Sequence, residues 1–552
     1  WPINLSSQIY SFKGFPSIFY VGSLSSVYIS YVDYKFGERC ILMKTIPEAS
    51  WKEDMKVFRE AATKYYAGEL KRFDYKGISG KFGSYAQKGD KPLSMLRLRM
   101  PAGRLTAKKM AFIADSVRKY AIDKMKFTTC QTVQLHNLEL EPVCQIMEDA
   151  LQVGIVTVGG GGDFPRNTTC SPLSGLDKDE YFDVMPYAEV AGQYAMQFIN
   201  AEKMPRKYKI GFSSSPKNQS HATMRDLGFA ARPDGKFDVY SAGGLGLNPM
   251  IGIKVAEAVE PKDILKYVRA MWVLFRTYGD YKNRMKARSR FMQETLGGPE
   301  NYRKAFQQKL AEVEGTDDFD FEIHPNIIVK TGTGTIQHPR AIPQKQDGLY
   351  SVIWHPLGGC PNPEIFCQVS DALQKVEAGE IRLALDETAY IVNLNAEEAE
   401  KFIELTASDS ARSQFEMASA CIGASICQQG VRDSQAVLKA AVEAVRDAGI
   451  PDGALPAIHI SGCPGSCATP QLAVMGFRGA VKERQSAWLL TINGCELQGK
   501  EVFGQEVGVI FETAVPDFLV ALGRTVADSG MSFADWLKAN PEGIQKAAEP
   551  FI

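Results

Sequence analysis

Two stretches of this chain, about 255 residues apart, follow one plan, so the fold must be assembled from two like units. Ser94-Met-Leu-Arg-Leu-Arg-Met-Pro-Ala-Gly103 parallels Tyr350-Ser-Val-Ile-Trp-His-Pro-Leu-Gly358. Each reads as a strand of alternating character closed by a Pro-x-Gly turn. A helix is expected after each, over residues 106–122 and 363–376, and then a second strand, over 127–138 and 383–394. Farther on, Met204-Pro-Arg-Lys-Tyr-Lys-Ile-Gly-Phe-Ser-Ser-Ser-Pro216 parallels Leu455-Pro-Ala-Ile-His-Ile-Ser-Gly-Cys-Pro464. The first copy carries lysines where the second has isoleucines, and only the second has cysteines of a ligand motif. This is the pattern of a duplicated αβ unit whose copies have divided their work.

Those cysteines are Cys421 and Cys427, in Cys-Ile-Gly-Ala-Ser-Ile-Cys, and Cys463 and Cys467, in Ser-Gly-Cys-Pro-Gly-Ser-Cys-Ala-Thr. Four thiolates suit an iron–sulfur cube. Structural zinc sites space both cysteine pairs more closely than the five residues between Cys421 and Cys427. Disulfide frameworks belong to small secreted domains, and 552 residues can bury proper cores in two to four domains. Zinc, disulfides and inert buried thiols remain the competing readings.

The 45% hydrophobic and 23% charged content is that of an ordinary globular protein, and a net charge of -1 offers no general attraction to nucleic acid. Eleven cysteines, several in the interior of the sequence, fit a reducing compartment and a cytoplasmic location. Residues 1–42 are atypical. They hold no methionine, and Gly14 to Val32 carries no charge, yet the serines at 17, 23, 25, 26 and 30 make a poor membrane span. The stretch also lacks the arginines of a transit peptide and the clean apolar core of a secretory signal. It is expected to lie outside the functional enzyme, which would start near Met43.

The two cysteine motifs, C-x5-C followed by C-x3-C, resemble the signature of the siroheme-dependent sulfite and nitrite reductases. The resemblance implies an α+β, tandem-duplicated fold whose pseudo-twofold halves combine ferredoxin-like half-domains with siroheme- and cluster-binding αβ domains. The expected boundaries are 43–155 and 326–408 for the half-domains, 156–325 for the first αβ domain and 409–552 for the second. It further implies that Cys421, Cys427, Cys463 and Cys467 hold a 4Fe–4S cluster and that Cys467 bridges it to siroheme.

Siroheme carries many carboxylates and its substrates are anions, so the site must supply fixed positive charge. Arg97 and Arg99 leave one face of a strand, as do Lys207 and Lys209 around Tyr208. Taken alone, each is an ordinary solvated strand face. In order, however, Leu-Arg-Met-Pro-Ala-Gly, Pro-Arg166-Asn167 and Met-Pro-Arg-Lys-Tyr-Lys are similar to the family's motifs, which implies that Arg99, Arg166, Lys207 and Lys209 surround the substrate. Arg288, Gln134 and His136 are expected to contact siroheme, His136 having a core position as its plainer reading. Thr128, Cys130, Thr132, Gln134 and His136 are read as one strand face. The family usually has an arginine, paired with a siroheme carboxylate, where this chain has Cys130. Losing that bidentate partner weakens the contact unless another basic residue reaches in.

Two glycine runs, Gly159 to Gly162 and Gly243 to Gly246, lack the G-x-G-x-x-G context of a dinucleotide site and are expected to let backbone approach the macrocycle. The activity implied is six-electron reduction of sulfite to sulfide, with nitrite to ammonia as the alternative and a non-catalytic cluster or metal-binding scaffold ranked lower. Lys209 leans toward sulfite, because nitrite enzymes of the family often have asparagine there. With no flavin or nicotinamide module evident, electrons must come from a ferredoxin or a flavoprotein partner. No nucleic acid or membrane partner is expected, and a monomer is the expected state.

Overall fold

The computed structural model describes residues 48–199, 203–316, 318–323 and 327–552. The extension expected over 1–42 lies outside the described residues. The first half-domain opens with β1 (Ser84–Ala86) and β2 (Ser94–Leu98) and continues through β3 (Arg104–Thr106), β4 (Met125–Phe127) and β5 (Val133–Leu138). Its sheet runs β1-β2-β5-β4. The first αβ domain follows with β6 (Thr169–Cys170), β7 (Ile210–Ser213), β8 (Leu227–Ala231), β9 (Phe237–Ser241) and β10 (Ile253–Val259), in the order β10-β9-β8-β7-β6.

The second half of the chain repeats both sheets. β11 (Ala341–Pro343), β12 (Tyr350–Trp354), β13 (Glu380–Leu383) and β14 (Ala389–Leu394) run β11-β12-β14-β13, and β3 crosses from the first half to pair with β13. β15 (Ser419–Ala420), β16 (His459–Ser461), β17 (Met475–Lys482), β18 (Gln485–Ile492) and β19 (Gln505–Phe511) then repeat the second sheet in the same order. In each copy the first three strands are parallel and the rest antiparallel.

Helices form where the sequence places caps. Thr106 Oγ1 accepts from Lys109 N at 3.4 Å to start Ala107–Lys119, and Asn362 Oδ1 accepts from Glu364 N at 2.8 Å ahead of Pro363–Leu373. Each of the expected second strands is instead a hairpin. Residues 128–132 turn between β4 and β5, with Thr128 N donating to Thr132 O at 3.1 Å and Gln131 at φ 54°; Glu387 at φ 72° does the same between β13 and β14. Thr128, Cys130 and Thr132 therefore do not share a strand face with Gln134 and His136. The repeat is also offset by one residue at the Pro-x-Gly turn. Ala102 and Gly103 (φ 58° and 73°) correspond to Gly358 and Gly359 (φ 55° and 68°), so Gly359 is the counterpart of Gly103.

One continuous core joins the two half-domains, with Phe127 and Trp354 edge to face at 5.4 Å between ring centroids. Each αβ domain has a core of its own. Among the described residues no helix is long and apolar enough to cross a membrane.

Candidate active site at the junction of the two copies

The four cysteines gather where β15 and β16 end. Cys421 follows β15, its N–H donating to Ile460 O at 3.0 Å, and Cys463 and Cys467 follow β16 in a loop that turns through Ser466 at φ 49°. Cys421 Sγ accepts from Gly462 N at 3.2 Å. Gly465 lies against two of the sulfurs: a Cβ there would meet Cys463 Sγ at 3.3 Å and Cys467 Sγ at 3.9 Å. Burial, then Cys467, pushes the Cys421 thiol up to about 11, and burial raises Cys463 with Cys467 and Cys427 adding to the effect. A bound metal would supply the positive charge that lets such crowded sulfurs ionise. Among the described residues no three His, Cys, Asp or Glu side chains close on one point as a single ion requires. Four cysteine thiolates are the usual donor set of a 4Fe–4S cluster. The ten described cysteines form no disulfide with one another.

Both halves of the chain hold this loop. Gln428 Nε2 donates to Ala86 O at 2.6 Å, Thr129 Oγ1 to Cys467 O at 2.7 Å, and Gln471 Nε2 to Gly246 O at 2.8 Å. Behind Cys421, the buried Lys126 and Glu387 pair at 2.8 Å; Lys126 Nζ donates to Ala420 O at 2.8 Å and Glu387 Oε2 accepts from Ala420 N at 3.0 Å. Gln131 does both jobs in the first copy, donating to Cys170 O and accepting from Cys170 N, each at 2.8 Å. Only glycine fits beside these clamps. A Cβ at Gly103 would meet Gln131 Cδ at 2.9 Å, and one at Gly359 would meet Glu387 Cβ at 2.7 Å.

Next to Cys467 stands a wall of cations. Lys207 is held well below the ordinary lysine value by burial, then by Lys209, Arg288 and Arg166. Lys209 Nζ lies 3.3 Å from Cys130 Sγ. The Cys130 thiolate raises Lys209, but burial and then Arg225, Arg288 and Arg166 outweigh it, leaving this lysine lowered. Burial pushes the Cys130 thiol up, yet Lys209, Arg225, Arg166 and Arg97 together bring it down to about 6. The cations around Cys130 thus draw its thiol toward the thiolate.

The remaining expected residues fall into different roles. Arg166 is half-buried, with Nη2 donating to Gly160 O at 2.6 Å. Arg99 is only 2% exposed; it donates to Val158 O at 2.9 Å and Arg166 O at 3.0 Å, and burial, then Arg166, lowers it to about 9. Its guanidinium fixes the 158–166 loop, while Arg97, one strand step away, joins the cations around Cys130. Turned so that its amide oxygen faces Arg97, Gln134 accepts from Arg97 Nε at 3.0 Å and so positions that arginine. His136 is 1% exposed and is held near 3, hence neutral, by burial, then Lys124, Lys126 and Arg97. Arg288 Nη2 donates to Asp226 at 3.1 Å, and Asp226 also accepts from Lys209 N at 2.8 Å. Both glycine runs pack closely on neighbouring groups. Gly160 packs on Gly83, where a Cβ would come within 3.1 Å of Cα, and Gly244 lies under Arg290.

The family model described as the nitrite and sulphite reductase 4Fe-4S domain matches residues 161–313, and the one described as the nitrite/sulfite reductase ferredoxin-like half domain matches residues 85–153. Both matched stretches are thus similar to domains of nitrite and sulfite reductases. It is 27% identical over 449 residues to the ferredoxin–nitrite reductase of Synechococcus elongatus, covering 75% of this chain and 80% of the relative. It is 24% identical over 483 residues to sulfite reductase [ferredoxin] 1 of Mycolicibacterium paratuberculosis, covering 82% and 83%. The solved structure of the NirA protein of Mycobacterium tuberculosis has the same fold, with a TM-score of 0.74 at 22% identity over 89% of this chain and 95% of that one.

The stretch matched as a 4Fe-4S domain is the copy without the ligands. Asn218 and His221 (φ 51° and 54°) correspond in spacing and backbone angle to Ser466 and Thr469 (φ 49° and 54°), and Ser171 N donates to Phe212 O as Cys421 N does to Ile460 O. Ser171, Ser215 and Gln219 therefore stand where the second copy has Cys421, Cys463 and Cys467. The family's cofactor pair, siroheme with a 4Fe–4S cluster, fits the second copy and the cation wall beside it.

Proposed function

We propose that the chain reduces sulfite to sulfide by six electrons, drawing them from a ferredoxin. The observation that carries this reading is the cation wall of Lys207, Lys209, Arg166 and Arg97 set against the exposed Cys467. Siroheme joined to the cluster through Cys467 would supply the electron-transfer chemistry. The chain's own residues bind and orient the anion and deliver protons. Lys207 is suited to proton donation, because burial and neighbouring cations bring its ammonium closer to neutrality than a free lysine. Lysines at both 207 and 209 favour a dianion, which supports sulfite. Names of relatives point both ways, to nitrite in Synechococcus elongatus and to sulfite in Mycolicibacterium paratuberculosis.

Nitrite is the second reading, and Cys130 favours it. A thiolate 3.3 Å from Lys209 offsets one cation, which suits a monoanion. The deciding experiment measures kcat/KM for both anions with reduced dye and with ferredoxin on anaerobically purified holoenzyme. Sulfite is expected to win, and Lys209→Asn should move the ratio about tenfold toward nitrite, about 1.4 kcal/mol of differential binding. A ratio that Lys209→Asn leaves unchanged removes the basis for the sulfite assignment.

A further inference from the structure

We propose that Arg225 anchors a carboxylate of the macrocycle in place of the arginine that the family carries at the position of Cys130. The inference rests on the siroheme reading above and adds a residue that no motif marks. Arg225 is 7% exposed, and its Nε is fixed by donation to Ser220 O at 2.9 Å. Gly211 makes room for its stem, since a Cβ there would sit 3.0 Å from Arg225 Cγ. Among the described residues its buried Nη2 has no hydrogen-bond partner. An orphaned guanidinium nitrogen is costly and rarely left so, which marks it as waiting for an acceptor.

The direction is set by its neighbours. Of the charged groups around Arg225, Cys130 acts on it most strongly, ahead of Asp226, and Arg225 is second only to Lys209 among the cations acting on Cys130. Asp226 is already engaged by Arg288, Ser289 and Lys209 N, so it leaves Nη2 unsatisfied. Arg99 shows the contrast: both of its terminal nitrogens end on backbone carbonyls, as a purely structural arginine requires. A cysteine at 130 takes away one arginine, and Arg225, which acts on that cysteine, keeps a terminal nitrogen without an acceptor among the described residues. Carboxylates match that fork geometry.

The test measures siroheme per chain by acid–acetone extraction, alongside cluster iron and labile sulfide, after gel filtration of anaerobically purified protein. Arg225→Ala should drop siroheme at least tenfold while the cluster content stays at the wild-type level. Adding Cys130→Arg to that variant should restore siroheme, and Arg225→Lys should keep most of it. If Arg225→Ala fails to fold, the near-isosteric Arg225→Gln gives the same reading. Full siroheme in Arg225→Ala or Arg225→Gln, or no recovery on adding Cys130→Arg, overturns the proposal. Wild-type protein with a cluster but no siroheme would instead overturn the cofactor reading on which it rests.

Discussion

At single positions, electrostatics decides what this site can do. Cys130 and Lys209 form a thiolate–ammonium contact among Arg225, Arg288 and Arg166, and each moves the other toward its charged form. Replacing Cys130 with Ser removes the anion that raises Lys209, leaving Arg225, Arg288 and Arg166 around it. The lysine then loses its proton at lower pH. If protonated Lys209 holds the substrate, the alkaline limb of kcat/KM should move to lower pH by about one unit in Cys130→Ser. A limb that stays in place assigns it to another group. Linkage runs in step: a thiol whose folded value lies near 6, against 9.0 in the unfolded chain, stabilises the fold above pH 9 and loses that contribution as pH falls toward 6. Denaturant titrations of wild type and Cys130→Ser should therefore converge at pH 5 and diverge at pH 8.

The strands and turns around Cys421 show how two copies of one element reached different solutions. Gln131 satisfies both backbone groups of Cys170 with one neutral amide, whereas Glu387 and Lys126 divide the same task at Ala420 as a buried ion pair. Removing one member of such a pair leaves an uncompensated charge in the core. Glu387→Gln should cost about 3–5 kcal/mol of stability. Lys126→Met with Glu387→Gln copies the first copy's chemistry and should recover most of it, measured by urea unfolding of the holoenzyme. An additive double variant would show that the pair is not coupled. The same elements explain what could be read in advance. Thr106 and Asn362 announce their helices because capping residues act locally. The 128–132 and 384–388 turns hide, because Gln131 and Glu387 occupy the left-handed region without the glycine that would signal it. Lys207 and Lys209 stand out through strand alternation, but Arg225 matters only because folding brings it to Cys130, far away in the chain.

The molecule as a whole is two copies of one plan whose half-domains have merged while their αβ domains have not. The half-domain core runs without a break from Phe58 through Phe127 and Val133 to Trp354, Phe366 and Phe402, and β3 of the first half completes the sheet of the second. Each αβ domain closes a separate core, so it can carry its own loops, one with cluster cysteines and one without. The merged layer is then the part that sets the two αβ domains, and with them the cations and the cysteines, at a fixed spacing. Trp354 is fully buried at its centre, edge to face with Phe127, and its Nε1 donates to Asp409 O at 3.1 Å. Trp354→Ala should cost about 3–5 kcal/mol. Its effect should reach both halves: hydrogen exchange should quicken in β5 and in β14 together, while β17 and β18, which belong to the separate αβ core, keep their protection. Exchange that quickens in β14 alone would mean that the halves fold as independent units and that the spacing of the site is fixed by the αβ domains themselves.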